Sequence, residues 1–175
     1  MRKRWPPARR AEVGRERALV PIPAPKQKFA PCRQRTARVR LPWCGQRAAE
    51  WRLDPAKVGI MGFSAGGYVA LQAALEHTPE SRPAFVGAIY ACCMNPAELK
   101  LPDDAPPTFF LHSYNDPVSV SSPALYMAWK AANKPAELHS FAEGGHGFGM
   151  PTSGRPTDGW IERFGDWLRY QKLMR

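Results

Sequence analysis

A chain of 175 residues is long enough to bury one sizeable core and too short for two domains of typical size. No apolar run approaches the length of a membrane span, and the basic start Met1-Arg2-Lys3-Arg4 is followed by Pro6, Pro7, Arg9 and Arg10 where an export signal needs an apolar stretch. A membrane anchor and an export signal are therefore not expected, and a cytoplasmic location is.

The net charge of +10 is concentrated in the first third, because residues 1–52 carry 15 Lys and Arg against 3 acids and residues 53–175 carry 10 against 12. Such an arm can attract phosphates or an anionic surface. It lacks an aromatic platform or a groove-entering helix, so nucleic acid is not the expected partner. Residues 1–46 are rich in Arg and Pro, with Pro21, Pro23 and Pro25 alternating and little apolar periodicity. They are read as an irregular basic arm without a stable fold of its own, and residues 47–175 as the folded domain.

Arg47 to Arg52 can close a short helix that Asp54-Pro55 breaks. Val58 to Phe63 reads as a buried strand, and Gly66 to His77 as a helix with Leu71, Ala74 and Leu75 on one face. Between them Gly62-Phe63-Ser64-Ala65-Gly66 fits G-x-S-x-G, the nucleophile elbow in which a serine is exposed at a strained strand-to-helix turn. Glycine on both sides is read as a steric demand, since the helix must pass close to the strand.

Phe85 to Cys92 is a second apolar strand, Asn95 to Pro107 a proline-bearing loop or short lid, and Thr108 to Tyr114 a third strand ending in Asn115-Asp116-Pro117. Ser122 to Ala132 predicts a helix with Pro123 in its first turn, stopped by Asn133 and Pro135. Ala136 to Phe141 is a fourth strand. Trp160, Phe164, Trp167 and Leu168 then form the apolar stripe of a helix packed on a sheet. Strand and helix alternate throughout, which predicts an α/β domain with a mainly parallel sheet of about four strands and flanking helices. The cysteines Cys32, Cys44, Cys92 and Cys93 show no metal spacing and are read as small, reduced core fillers.

A serine hydroxyl needs a base within hydrogen-bond reach and an acid to orient that base. Downstream of Ser64 come Asp116, at the end of the third strand, and His146, in Glu143-Gly144-Gly145-His146-Gly147-Phe148-Gly149. The order Ser, Asp, His is that of the α/β-hydrolases. His77 falls at a helix end and His112 and His139 lie within strands, so His146 is preferred. Asp116 is preferred over Asp103 and Asp104 because rigid strand ends hold catalytic groups at the carboxyl edge of such sheets.

From about Arg47 to Arg175 the chain resembles the carboxyl-terminal half of an α/β-hydrolase of the dienelactone hydrolase and acetyl-xylan esterase-like group. The resemblance rests on Val58 to Gly67, Pro106 to His112 with Asn115 to Val118, Pro135 to Leu138, and Gly144 to Phe148. It implies a serine carboxylester hydrolase acting on a small ester, with short acyl groups on a sugar or small alcohol as the substrate class. Ser64 would be the nucleophile, Asp116 the orienting acid, His146 the general base and the Ala65 amide an oxyanion donor. No metal or organic cofactor is implied.

A complete member has further strands before the elbow and a His-Gly-Gly type loop that gives the second oxyanion hydrogen bond. Residues 1–46 hold no histidine and only Gly14 and Gly45. The expectation is a truncated, weak or inactive hydrolase whose first residues are read out of frame, with an open edge beside Val58 to Phe63 that invites self-association. The alternatives are an inactive fragment whose basic arm binds a polyanion, and a serine peptidase of related fold.

Overall fold

The computed structural model describes residues 41–175, so residues 1–40, most of the basic arm and Cys32 among them, lie outside the described residues. Residues 41–46 are helical and 47–52 run through turns. The short helix expected over Arg47 to Arg52 therefore lies earlier in the chain. Arg52, at φ +55°, closes the turns. Asp54 accepts the Ala56 amide at 3.0 Å and caps a 3-10 turn over Pro55–Lys57.

The elements that follow are β1 (Ile60–Phe63), α1 (Ala65–Leu75), β2 (Val86–Ile89), β3 (Thr108–Ser113), α2 (Ser122–Ala131), β4 (Ala136–Phe141) and α3 (Trp160–Tyr170). The four strands form one sheet in the order β1-β2-β3-β4, every neighbouring pair parallel. Ile60 stands opposite Val86, Val86 opposite Thr108 and Thr108 opposite Ala136. The strands thus start level, and their carboxyl ends gather at one edge.

β2 and β3 are buried at every position, which is why both read as continuous apolar runs rather than as alternating ones. On one face Val86, Ala88 and Phe110 pack with Ala70, Leu71 and Ala74 of α1 and Leu125 and Trp129 of α2. On the other, Ile89, Phe109 and Leu111 meet Trp160, Phe164 and Trp167 of α3. Phe109 and Phe164 touch edge to face with centroids 5.1 Å apart, as aromatic quadrupoles prefer.

Three strands are shorter than expected, β3 by its last residue alone. β1 starts at Ile60 rather than Val58, and β2 stops at Ile89 because Tyr90 (φ +35°) and Cys93 (φ +72°) turn the chain out of the ladder. Among the described residues β1 pairs on one side only, and its Met61 is exposed. No helix among the described residues is long and apolar enough to cross a membrane.

Candidate active site

Ser64 sits between the last residue of β1 and the first of α1, at φ +53° and ψ −117°. A residue with a side chain is held there at a cost of order 1–3 kcal/mol, so its surroundings must fix it. They do so through the backbone: the Ser64 amide donates to the Ile89 carbonyl at 3.0 Å, and the Ser64 carbonyl accepts from Tyr68 at 3.1 Å and Cys92 at 3.4 Å.

The glycines of the elbow are unequal. A Cβ on Gly62 would stand 2.1 Å from the Gly66 carbonyl oxygen, and one on Gly67 would stand 2.8 Å from the Ala91 Cβ. A Cβ on Gly66 would meet nothing within 4 Å. The steric demand expected at Gly66 is therefore absent, and the helix approaches its neighbours through Gly67 instead.

The Ser64 hydroxyl lies 2.7 Å from His146 Nε2, and His146 Nδ1 lies 2.9 Å from Asp116 Oδ2. A carboxylate only accepts, so a neutral imidazole facing Asp116 carries its proton on Nδ1 and offers the Nε2 lone pair to the hydroxyl. The Asp116 side chain is fully buried, whereas that of His146 is 29 % exposed and open to an incoming molecule. Asp116 Oδ2 also accepts from the Ser119 hydroxyl at 2.5 Å, and Oδ1 from the Val118 amide at 2.8 Å. Burial pushes the carboxyl up, yet these bonds and the imidazole outweigh it and hold Asp116 below the ordinary carboxylate value.

The Ala65 amide is the first of α1, where no intrahelical acceptor exists, so it is free in kind to serve an anion beside Ser64. The other candidates lie elsewhere. His77 pairs with the Ala74 carbonyl and with Asp104, itself exposed, and His139 bonds Glu137 and stacks on Phe109. His112 is buried in β3, and burial lowers its pKa and keeps it neutral.

Sequence reasoning passed over two neighbours of the site. Ser119 follows Asp116 by three places, a spacing at which a hydroxyl can reach back to a carboxylate in a turn. Tyr90, the residue that leaves β2 at positive φ, sets its ring edge-on to His146 at 5.2 Å and to Phe148 at 4.7 Å.

The model of the dienelactone hydrolase family matches residues 45–166. An acetylxylan esterase of Xylanibacter ruminicola is 26% identical over 154 residues, which cover 70% of this chain and 32% of that protein. This chain thus spans about a third of the length of that relative.

Among solved structures, an acetyl ester-xyloside bifunctional hydrolase from Caldicellulosiruptor lactoaceticus superposes with a TM-score of 0.74 at 21% identity, covering 85% of this chain and 69% of the other. An α/β-hydrolase enzyme from a Medee basin deep-sea metagenome library does so at 0.71 and 25%, over 84% and 67%. A carboxylesterase of Lactobacillus plantarum gives 0.70 at 17%, over 85% and 71%.

Proposed function

Because the chain belongs to the dienelactone hydrolase family, we propose that it is a serine carboxylester hydrolase in which Ser64 is the nucleophile, His146 the general base and Asp116 the acid that orients it. The supporting observation is the unbroken chain of hydrogen bonds from the Ser64 hydroxyl through both imidazole nitrogens to a buried carboxylate.

In this reaction Ser64 Oγ attacks the ester carbonyl carbon while its proton passes to His146 Nε2. The carbonyl oxygen becomes an oxyanion that the Ala65 amide stabilises. Collapse breaks the bond to the alcohol, which leaves with the proton from His146 and gives an acyl-enzyme. Water then repeats the sequence with Ser64 as the leaving group. Asp116 holds the imidazole tautomer and balances the imidazolium that forms twice in each cycle.

We assign the oxyanion to the Ala65 amide alone among the described residues, and a site with one such donor turns over roughly a hundredfold to a thousandfold more slowly than a site with two. The substrate class is a carboxylester with a short acyl group, acetylated sugars included. The likeness to an acetylxylan esterase supports that choice.

The test is hydrolysis of a chromogenic acetyl ester and of acetylated xylo-oligosaccharide by the full chain, beside Ser64→Ala. Slow turnover of both that disappears in Ser64→Ala is expected. Turnover that survives Ser64→Ala would overturn the assignment.

A further inference from the structure

His146 lies on the loop between β4 and α3, so its reach to Ser64 depends on bonds to the segment just before it. Those bonds come from the end of β3. Asn115 Oδ1 accepts the Gly145 amide at 2.8 Å and the Gly144 amide at 3.2 Å. The Ser113 hydroxyl donates to the Gly145 carbonyl at 2.8 Å. Gly145 turns at φ +66°, and a Cβ on Gly144 would stand 2.7 Å from Thr157 Cγ2 and 3.1 Å from Ser113 Cβ. One short stretch, residues 113–116, therefore grips the imidazole through Asp116 and the two residues before it, Gly144 and Gly145, through Ser113 and Asn115.

Asn115 is itself exposed and belongs to neither hydrophobic cluster. If its side chain is removed, water can satisfy the Gly145 amide, which lies toward solvent, and the Gly144 amide, in a buried residue, loses the longer of the two bonds. The fold then loses at most one weak bond, while the loop loses both bonds that fix where it stops. We propose that Asn115 is a positioning residue for His146, its carboxamide oxygen setting the loop so that Nε2 arrives at the Ser64 hydroxyl. This rests on the reading of His146 as general base.

Close to the ring lie Asp116, 2.9 Å from Nδ1, and Tyr90, 5.2 Å between centroids, while Arg155 reaches the Gly144 carbonyl at 3.5 Å and His112 feels the charge of Asp116. They make a substitution of the same shape informative. Asn115→Asp keeps an oxygen that accepts both amides and adds a negative charge near the imidazole, which favours the protonated ring.

The experiment measures kcat, KM and their pH dependence on a chromogenic acetyl ester for the full chain, Asn115→Ala, Asn115→Asp and Ser64→Ala, with urea unfolding of each. Asn115→Ala is expected to lower kcat by about ten- to a hundredfold, as a misplaced catalytic group does, with KM and the unfolding midpoint little changed. Asn115→Asp is expected to recover most of the rate at alkaline pH, with the acidic limb moved to higher pH. The His146 Nδ1 proton, followed by NMR in the unliganded chain, gives a readout independent of turnover. It is expected to be sharp and far downfield in the parent, Ser64→Ala and Asn115→Asp, and broadened away in Asn115→Ala.

An Asn115→Ala chain with the parent's rate, or with the Nδ1 proton intact, overturns the proposal. So does an Asn115→Asp chain as slow as Asn115→Ala at every pH. Turnover that persists in Ser64→Ala sinks the function reading instead, and the two failures are distinct.

Discussion

Ser64 Oγ and His146 Nε2 stand 2.7 Å apart although 82 residues separate them in sequence. Among the described residues β1 and β4 are the two edges of a four-stranded sheet, three strand spacings or roughly 14 Å apart. The five residues from the end of β4 to His146 can span at most about 17 Å. The loop is therefore drawn back across the top of β3 and β2, and it passes Asn115 and Tyr90 on the way.

Removing members of this chain should act chiefly on rate, with the fold retained at neutral pH. Ser64→Ala and His146→Ala are each expected to lower ester turnover by about four to six orders of magnitude, and Asp116→Asn by about four. Steady-state kinetics on a chromogenic acetyl ester, with circular dichroism as the folding control, checks this. A loss of less than tenfold in any of the three would remove that residue from the mechanism.

Asp116 also ties stability to pH. Its carboxyl is lower in the folded than in the unfolded chain, because hydrogen bonds outweigh the burial that opposes them. The unfolded chain therefore binds the proton more readily. The contribution is full above the unfolded value of about 4 and is lost as pH falls through the folded value. In urea titrations the advantage of the parent over Asp116→Asn should be flat from pH 7 to about 5 and close below about pH 4. An advantage that grows in acid would contradict the sign.

The elbow glycines make opposite predictions. Gly62→Ala forces backbone against backbone and should cost about 2–3 kcal/mol or more, in the range of a severe overpacking. Gly66→Ala meets open space on an exposed turn of α1 and should be neutral to about 1 kcal/mol stabilising through helix propensity. Thermal unfolding of both variants decides it, and equal costs would mean that the crowding is misplaced.

Trp160 links the α3 face to the site loop. Its indole donates to the Gly149 carbonyl at 2.8 Å, three residues beyond His146, while its ring is buried against Phe63. Trp160→Phe keeps most of the apolar surface and removes the donor. The expected cost is about 1–3 kcal/mol, that of a carbonyl left unpaired, with a larger effect on turnover than an equally destabilising change at Trp129 on the opposite face.

The architecture was legible because its signals are local and redundant. The apolar runs of β2 and β3, Pro123 in the first turn of α2, and the stripe Trp160, Phe164 and Trp167 each act within a dozen residues. Ser64, Asp116 and His146 could be singled out because each follows a strand or lies in a glycine-rich loop. What the chain conceals is which neighbour each loop meets. That Gly67 and not Gly66 bears the close approach depends on Ala91, which arrives from β2, and the grip on His146 depends on Asn115 and Asp116, about thirty residues upstream. The helix over 41–46 was missed because Pro and Gly within it argue locally against a helix.

The level register of the sheet has a consequence for how the molecule fails. Ser64 belongs to the first strand-helix unit, Asp116 to the turn after the third strand and His146 to the connection after the fourth, so the site exists only while the outer units are docked together. β4 is an edge strand, half-buried along most of its length. Local opening that frees β4 and the loop beyond it would separate His146 from Ser64 while β1, β2 and β3 keep their ladder. Under rising denaturant the site should come apart before the backbone signal reports global unfolding, so that the first function-bearing contact to go is the one spanning the whole sheet.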